Sequence, residues 1–234
     1  MTRAFAIEID QLEFGWKPRQ TLLRVERFEL AAGERLFLVG PSGSGKSSLL
    51  SVIAGIAPAS AGDICILDQD MGALSPARRD AFRADNLGVI FQLFNLVPYL
   101  TPLENVLLPC RFSPQRRKLA MANGSLGDEG RRLLMALGLD GDVVSRPSTE
   151  LSVGQQQRVA AARALIGSPG LIIADEPTSA LDADSRDNFI QLLQKECEAA
   201  NSALLFVSHD QALGAFFDRR VDLSEINTAG RVSA

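Results

Sequence analysis

Apolar and polar residues alternate through FAIEIDQLEF, residues 5–14, and this period of two predicts a strand. Short apolar runs around 34–39, 63–67 and 87–91 read as further strands, and the segment from about 46 to 55 reads as a helix. From about 96 to 150 the strand signal disappears. Prolines stand at 98, 102, 109, 114 and 147, the basic stretch RFSPQRRK intervenes, and EGRRLLMALGL has helical spacing. Strand and helix then alternate again: a helix at 155–167, the strand LIIAD at 171–175, a helix at 183–199, the strand ALLFVS at 203–208, a short helix, and a last strand near 220–223. Buried strands separated by helices in this order predict an α/β domain with a mainly parallel central sheet. The expected organisation is a single domain over 1–234, with a core of 1–95 and 155–234 and an inserted helical subdomain at 96–154.

Composition narrows the class of partner. A net charge of −4 without long charged blocks removes the electrostatic reason to expect nucleic acid. Cys65, Cys110 and Cys197 are odd in number and far apart, which suggests neither a disulfide framework nor a zinc site. No apolar run approaches the roughly 18 residues of a membrane-spanning helix; LGVIFQLFNLVPYL (87–100) is interrupted by Gln92, Asn95 and Pro98, so any membrane span is expected to come from another chain. The strand-like, acidic start MTRAFAIEIDQLEF does not follow the plan of a signal peptide, and a cytoplasmic protein is expected.

The chemistry concentrates at strand ends. GPSGSGKS (40–47) lies between the strand RLFLV and the helix SSLLSVIAG and matches G-x-x-x-x-G-K-[ST]. Such a segment, here Gly40, Pro41, Ser42, Gly43, Ser44, Gly45, Lys46 and Ser47 with Ser48 following, wraps backbone N–H groups around phosphates. Lys46 neutralises charge there and Ser47 is placed to ligate Mg²⁺. The strand LIIAD ends in Asp175, a second metal candidate, and Glu176 after it is placed to orient or deprotonate an attacking water. His209, the chain's one histidine, ends another strand on the same edge, where it can reach a γ-phosphate. Gln92 ends LGVIF at the join with the helical insert, where its amide can touch Mg²⁺ or the water. A second anion-ready segment, LSVGQQQR (151–158), opens an alanine-rich helix with Ser152 as N-cap.

These features in this order, GPSGSGKS, Gln92, LSVGQ, LIIADEPT, SALD at 179–182 and His209, resemble the ATP-binding-cassette ATPases along essentially the whole chain. FRADNLGVIFQLFNLVPYLTPLENVLLP and LSVGQQQRVAAARAL resemble the branch of lipoprotein-release, macrolide-export and cell-division ATPases. The resemblance implies a P-loop, RecA-like core, an N-terminal antiparallel β subdomain, ATP and Mg²⁺ as ligands, and a head-to-tail homodimer. In it Ser152, Val153, Gly154 and Gln155 of one copy cover the ATP held by the other, beside a D-loop of Ser179, Ala180, Leu181 and Asp182. Val153 departs from the usual LSGGQ, which predicts slower hydrolysis. For adenine stacking the candidates are Phe14 and Trp16; Trp16 is favoured because it precedes the turn KPR, with Phe14 in the core. The implied partner is an FtsX-like permease at the inner face of the membrane. The implied function is transport, or alternatively ATP-driven signalling through the membrane without a transported substrate. A nucleic-acid repair ATPase is disfavoured by the length and the charge.

Overall fold

The computed structural model describes residues 4–17, 20–139 and 141–229. In chain order the strands and helices are β1 Phe5–Phe14, β2 Leu23–Ala31, β3 Arg35–Val39, α1 Lys46–Ile53, β4 Ala61–Ile66, β5 Gln69–Asp70, α2 Pro76–Asn86 and β6 Leu87–Ile90. Four helices follow: α3 Pro102–Leu107, α4 Pro109–Phe112, α5 Pro114–Ala120 and α6 Leu126–Ala136. After 3₁₀ turns at Gly141–Ser145 and Ser148–Glu150, the remainder is α7 Val153–Leu165, β7 Leu171–Asp175, α8 Ala183–Ala199, β8 Ala203–Ser208, β9 Arg219–Asp222 and α9 Leu223–Ile226, with a 3₁₀ turn at Gln211–Phe216 where the short helix is predicted.

The strands form two sheets. Five of them run parallel in the order β6-β7-β8-β3-β9, and four form an antiparallel sheet in the order β2-β1-β4-β5. The segments predicted at 5–14 and 63–67 belong to this second sheet and not to the parallel one. The parallel strands are buried on both faces, so alternate residues feed two cores. Leu36, Leu38, Ile173, Leu205 and Val207 pack toward α1 and the antiparallel sheet, whereas Phe37, Val39, Ile172, Leu204 and Phe206 pack toward α7 and α8. Each such side chain contributes roughly 1.5–3 kcal/mol relative to exposure.

The antiparallel sheet departs from simple alternation. Burial in β1 slips phase at Asp10 and Gln11, where Gln11 has φ 51° and the pairing with β4 shifts register. Gly62 sits opposite this bulge; a Cβ there would lie 2.3 Å from the Gln11 carbonyl oxygen, so only glycine fits. The second core continues into the helical region, where α7 lies against β6 so closely that a Cβ on Gly88 would fall 2.3 Å from the Ala164 carbonyl oxygen.

Candidate nucleotide-binding site

Parallel pairing decides where the chemistry lies. Val39 is in register with Ser208, Asp175 with Val207, and Ile90 with Ala174, so β3, β6, β7 and β8 end on one edge of the sheet. Gly40, Glu176 and His209 directly follow the ends of β3, β7 and β8, and Gln92 stands two residues past the end of β6. This is the carboxyl edge at which open parallel sheets bind ligands.

A cleft of about 580 Å³ opens there. One side is the loop, with Ser42, Gly43, Gly45, Lys46, Ser47 and Ser48, and the other carries Gln92, Asp175, Glu176 and His209. Gly45 caps α1 in the left-handed region at φ 101°, with no side-chain hydrogen bond to the first turn, so the N–H groups of that turn are free to face an anion. A Cβ at Gly45 would also strike Leu23 Cδ2 at 2.6 Å. Lys46 Nζ donates to the carbonyl oxygens of Gly40 at 2.6 Å and Pro41 at 3.0 Å, a curl that holds the loop around its own charge. Ser44 Oγ is buried without a partner among the described residues.

Asp175 and Glu176 have different surroundings. Burial pushes the Asp175 carboxyl above its usual range, the neighbouring Glu176 adds to this, and the Ser47 hydroxyl and Lys46 pull it back. Glu176 takes φ 47°, uncommon for a residue with a side chain, and its N–H donates to the Val207 carbonyl across the sheet. Its Oε2 lies 2.9 Å from His209 Nδ1 and accepts from the Ser208 hydroxyl at 3.4 Å. The carboxylate is thereby aimed along the cleft and not into the sheet. Ser208 and Asn227 are site residues that the sequence reading missed. Asn227 donates to the carbonyls of Leu22 at 3.1 Å and Ser44 at 3.4 Å, bracing the phosphate loop from the far end of the chain. An asparagine about 180 residues from the motif carries no sequence signal of that role.

Ser47, Gln92 and Asp175 supply a hydroxyl, an amide carbonyl and a carboxylate on one cleft, the hard oxygen donors that suit Mg²⁺ sharing its shell with phosphate and water. No group of three or more His, Cys, Asp or Glu able to cage a metal occurs among the described residues. The donor set therefore fits a metal that arrives with a nucleotide.

Trp16 is 61% exposed, its Nε1–H donates to Ser48 Oγ at 3.1 Å, and its ring meets Phe14 edge-on at 5.0 Å. Phe14 is buried, as expected. Pro18 and Arg19 of the expected turn lie outside the described residues.

The signature segment does not line this cleft. Ser152 caps α7 through a complete capping box: its hydroxyl accepts from the Gln155 N–H at 3.3 Å, and Gln155 Oε1 accepts from the Ser152 N–H at 2.9 Å. The helix begins at Val153, two residues earlier than predicted. Val153 is 47% exposed, and Gly154 sits so that a Cβ would come 3.4 Å from Leu181. Ser179–Asp182 thus bridges the two regions. The Ser179 N–H donates to the Glu176 carbonyl, and Asp182 caps α8 by accepting from the Ser185 N–H.

The family model described as ABC transporter matches residues 23–179, more than half of the chain. The chain is 42% identical over 212 residues to lipoprotein-releasing system ATP-binding protein LolD 2 of Rhodospirillum rubrum, covering 91% of this chain and 89% of that protein. It is 39% identical to LolD of Syntrophotalea carbinolica, covering 86% of each. Among solved structures, the post-hydrolysis dimer of the ATP-binding cassette MJ0796 bound to ADP and Pi superposes with a TM-score of 0.79 at 31% identity, covering 92% of this chain and 93% of that one. This chain belongs to the ABC transporter family and is one of its ATP-binding, ATP-hydrolysing cassettes.

Proposed function

We propose that the chain is the ATPase subunit of a lipoprotein-releasing type of transporter, working as a head-to-tail homodimer that drives an FtsX-like permease. The observation that carries this reading is the separation of two anion-ready helix starts. The cleft gathers the phosphate loop, Gln92, Asp175, Glu176 and His209, while Ser152–Gln155 lies outside it. A second copy, turned head to tail, brings its own Ser152 and Gly154 to the open side of the cleft and completes the enclosure. The names of the relatives support release of a lipoprotein over signalling alone, and the dimer bound to ADP and Pi supports the paired arrangement.

In this arrangement Lys46 exchanges the Gly40 and Pro41 carbonyls for β- and γ-phosphate oxygens, and the first-turn N–H groups of α1 hold the phosphate chain. Ser47, Asp175 and Gln92 would hold Mg²⁺, which would supply charge to offset that of the phosphate oxygens. Glu176 orients the attacking water and accepts its proton, and His209 holds Glu176 and meets the γ-phosphate. Trp16 stacks on adenine. The helical insert 96–154 carries the permease contact. A groove of about 430 Å³ beside it is lined by Ile56, Phe91 and Phe112, all exposed, and Leu93 and Tyr99 stand out further along the same loop. This clustered apolar surface is the expected seat of a permease's cytoplasmic helix. No helix among the described residues is long and apolar enough to cross a membrane, and the permease supplies the attachment to the inner membrane's cytoplasmic face.

Glu176→Gln tests the assignment. Turnover should fall by about 10²–10⁴-fold with ATP binding kept and a stable dimer forming in ATP. Ordinary turnover, or a strictly monomeric ATP-bound state, would overturn it.

A further inference from the structure

We propose that Arg163, in the last turn of α7, is a positioning residue: it latches the loop after β6 in the conformation that presents Gln92 to the nucleotide, and so makes that loop and the signature helix one mechanical body. The inference rests on the nucleotide site described above.

Arg163 donates through Nη1 to the Asn95 carbonyl at 2.6 Å and through Nη2 to the Phe94 carbonyl at 2.5 Å, a planar fork on two consecutive peptide oxygens. Those are the two residues of the loop with strained backbones. Phe94 has φ 58° and Asn95 φ 50°, and neither is glycine. The loop is wound tightly as well: the Asn95 N–H donates to the Leu93 carbonyl at 2.6 Å and the Phe94 N–H to the Phe91 carbonyl at 2.9 Å. Phe94 is buried in the helical-side core, while Gln92 and Leu93 on its near side are exposed. The left-handed pair is therefore held from two directions, by the ring of Phe94 and by the guanidinium of Arg163. Further along the loop the buried Asn105 side chain pins Val97, accepting from its N–H at 2.8 Å and donating to its carbonyl at 3.1 Å, so Arg163 is the anchor on the Gln92 side.

Arg163 forms no ion pair with an acidic side chain among the described residues, and its burial pushes its pKa below the usual arginine value. The general anchoring of α7 falls to a neighbour, Arg116. It is buried, and from α5 it donates to the carbonyls of Ile166 at 2.7 Å, Ala164 at 2.6 Å and Leu87 at 3.2 Å. Leu87 opens β6, the strand that leads to Gln92. With Arg116 holding the end of α7 to β6 and Arg163 holding it to the loop, a shift of Gln92 carries α7 with it. The signature residues stand at the other end of that helix, about 15 Å away at 1.5 Å per residue. Arg163 also lines the apolar groove next to Phe91 and Phe112, so an occupant of the groove presses on the latch.

The test is a double-mutant cycle of Arg163→Met and Gln92→Ala in the full chain, with turnover, KM for ATP, thermal unfolding and amide hydrogen exchange of residues 91–97 measured for each protein. We expect Arg163→Met to unfold cooperatively, to keep KM within about threefold, to exchange faster at 91–97 without nucleotide, and to lose about ten- to a hundredfold in kcat, as a misplaced group does. Adding Gln92→Ala should then cost little more, because the latch acts through Gln92. Should Arg163→Met fail to fold, Arg163→Lys keeps charge and length with a single donor head and carries the same comparison. Unchanged kcat, or losses that multiply in the double variant, overturns the latch. Normal turnover in Glu176→Gln overturns the site assignment instead, so the two failures are distinguishable.

Discussion

The starts of α1 and α7 are both small-residue helix N-termini with serines and glycines, yet the chain finishes them in opposite ways. At α1 the N-cap is Gly45 in the left-handed region with no side-chain cap, and the donors of the first turn are left for a ligand. At α7 the N-cap Ser152 and Gln155 satisfy each other in a closed box. An N-cap of this kind is worth about 1 kcal/mol to a helix, so the signature end gains a cap that the start of α1 forgoes. The difference has a physical reason. In the proposed dimer the loop receives its anion within the chain, with the cleft residues around it, whereas the α7 start would meet an anion held by another copy and must remain folded meanwhile. A serine oxygen that accepts from Gln155 keeps its own O–H to donate, so the box need not open for Ser152 to reach a phosphate.

The largest expected effect falls on the loop. Lys46→Ala removes two charge-assisted donors, each worth about 1.5–3 kcal/mol, so ATP binding should weaken at least about a hundredfold and turnover vanish. Trp16 is the chain's one tryptophan and lies against Ser48, so its fluorescence should change on ATP binding in the parent and not in this variant at the same concentration. A full ATP response in Lys46→Ala would mean that the uncapped α1 start alone holds the nucleotide.

Next in size is a substitution that separates the two duties of the α7 start. Aspartate is as good an N-cap as serine but places a charge against a phosphate. Ser152→Asp should therefore keep its melting temperature within about 2 °C of the parent, the shift from about half a kcal/mol in a chain of this length. It should keep the Trp16 response of its own cleft and lose about a hundredfold in turnover, the scale of removing one anion-holding donor. A loss of stability with normal turnover would make Ser152 an ordinary cap and nothing more.

How much of this was legible in the sequence follows the same division. The phosphate loop, LIIAD and ALLFVS announce themselves because buried parallel strands are unbroken apolar runs and their chemistry follows directly in the chain. The strand β2 is left unassigned in the sequence reading. Its alternation slips phase between Glu26 and Arg27, matching the slip in β1, and the bulge that causes both is a tertiary feature. The helix α2 is also left unassigned, since it has no fully buried residue and so no apolar stripe to read; Ser75 and Pro76 fix its start instead. Gln92 could be placed at a domain join, but nothing in the letters ARAL says that Arg163 grips the loop behind it, because both acceptors are backbone oxygens. Contacts to carbonyls leave no mark on the identity of the residue that accepts them.

The smallest effect belongs to Val153, and it bears most directly on what distinguishes this chain from the usual LSGGQ. Val153 is the first residue of α7, half exposed, with Gly154 next to it tucked against Leu181. A β-branched side chain at this point is stiff and keeps whatever faces the helix start at a distance. Val153→Gly should let the partner's nucleotide come closer to the N–H groups of α7, raising turnover by a few-fold, roughly the factor of 2–5 that half to one kcal/mol gives. The same change removes a better helix former than glycine, at a cost of a few tenths of a kcal/mol, so the melting temperature should fall by about 1 °C. A faster, slightly less stable enzyme would locate the speed limit at the α7 start; an equally slow one would return it to the Glu176 cleft, where Val153 has no reach.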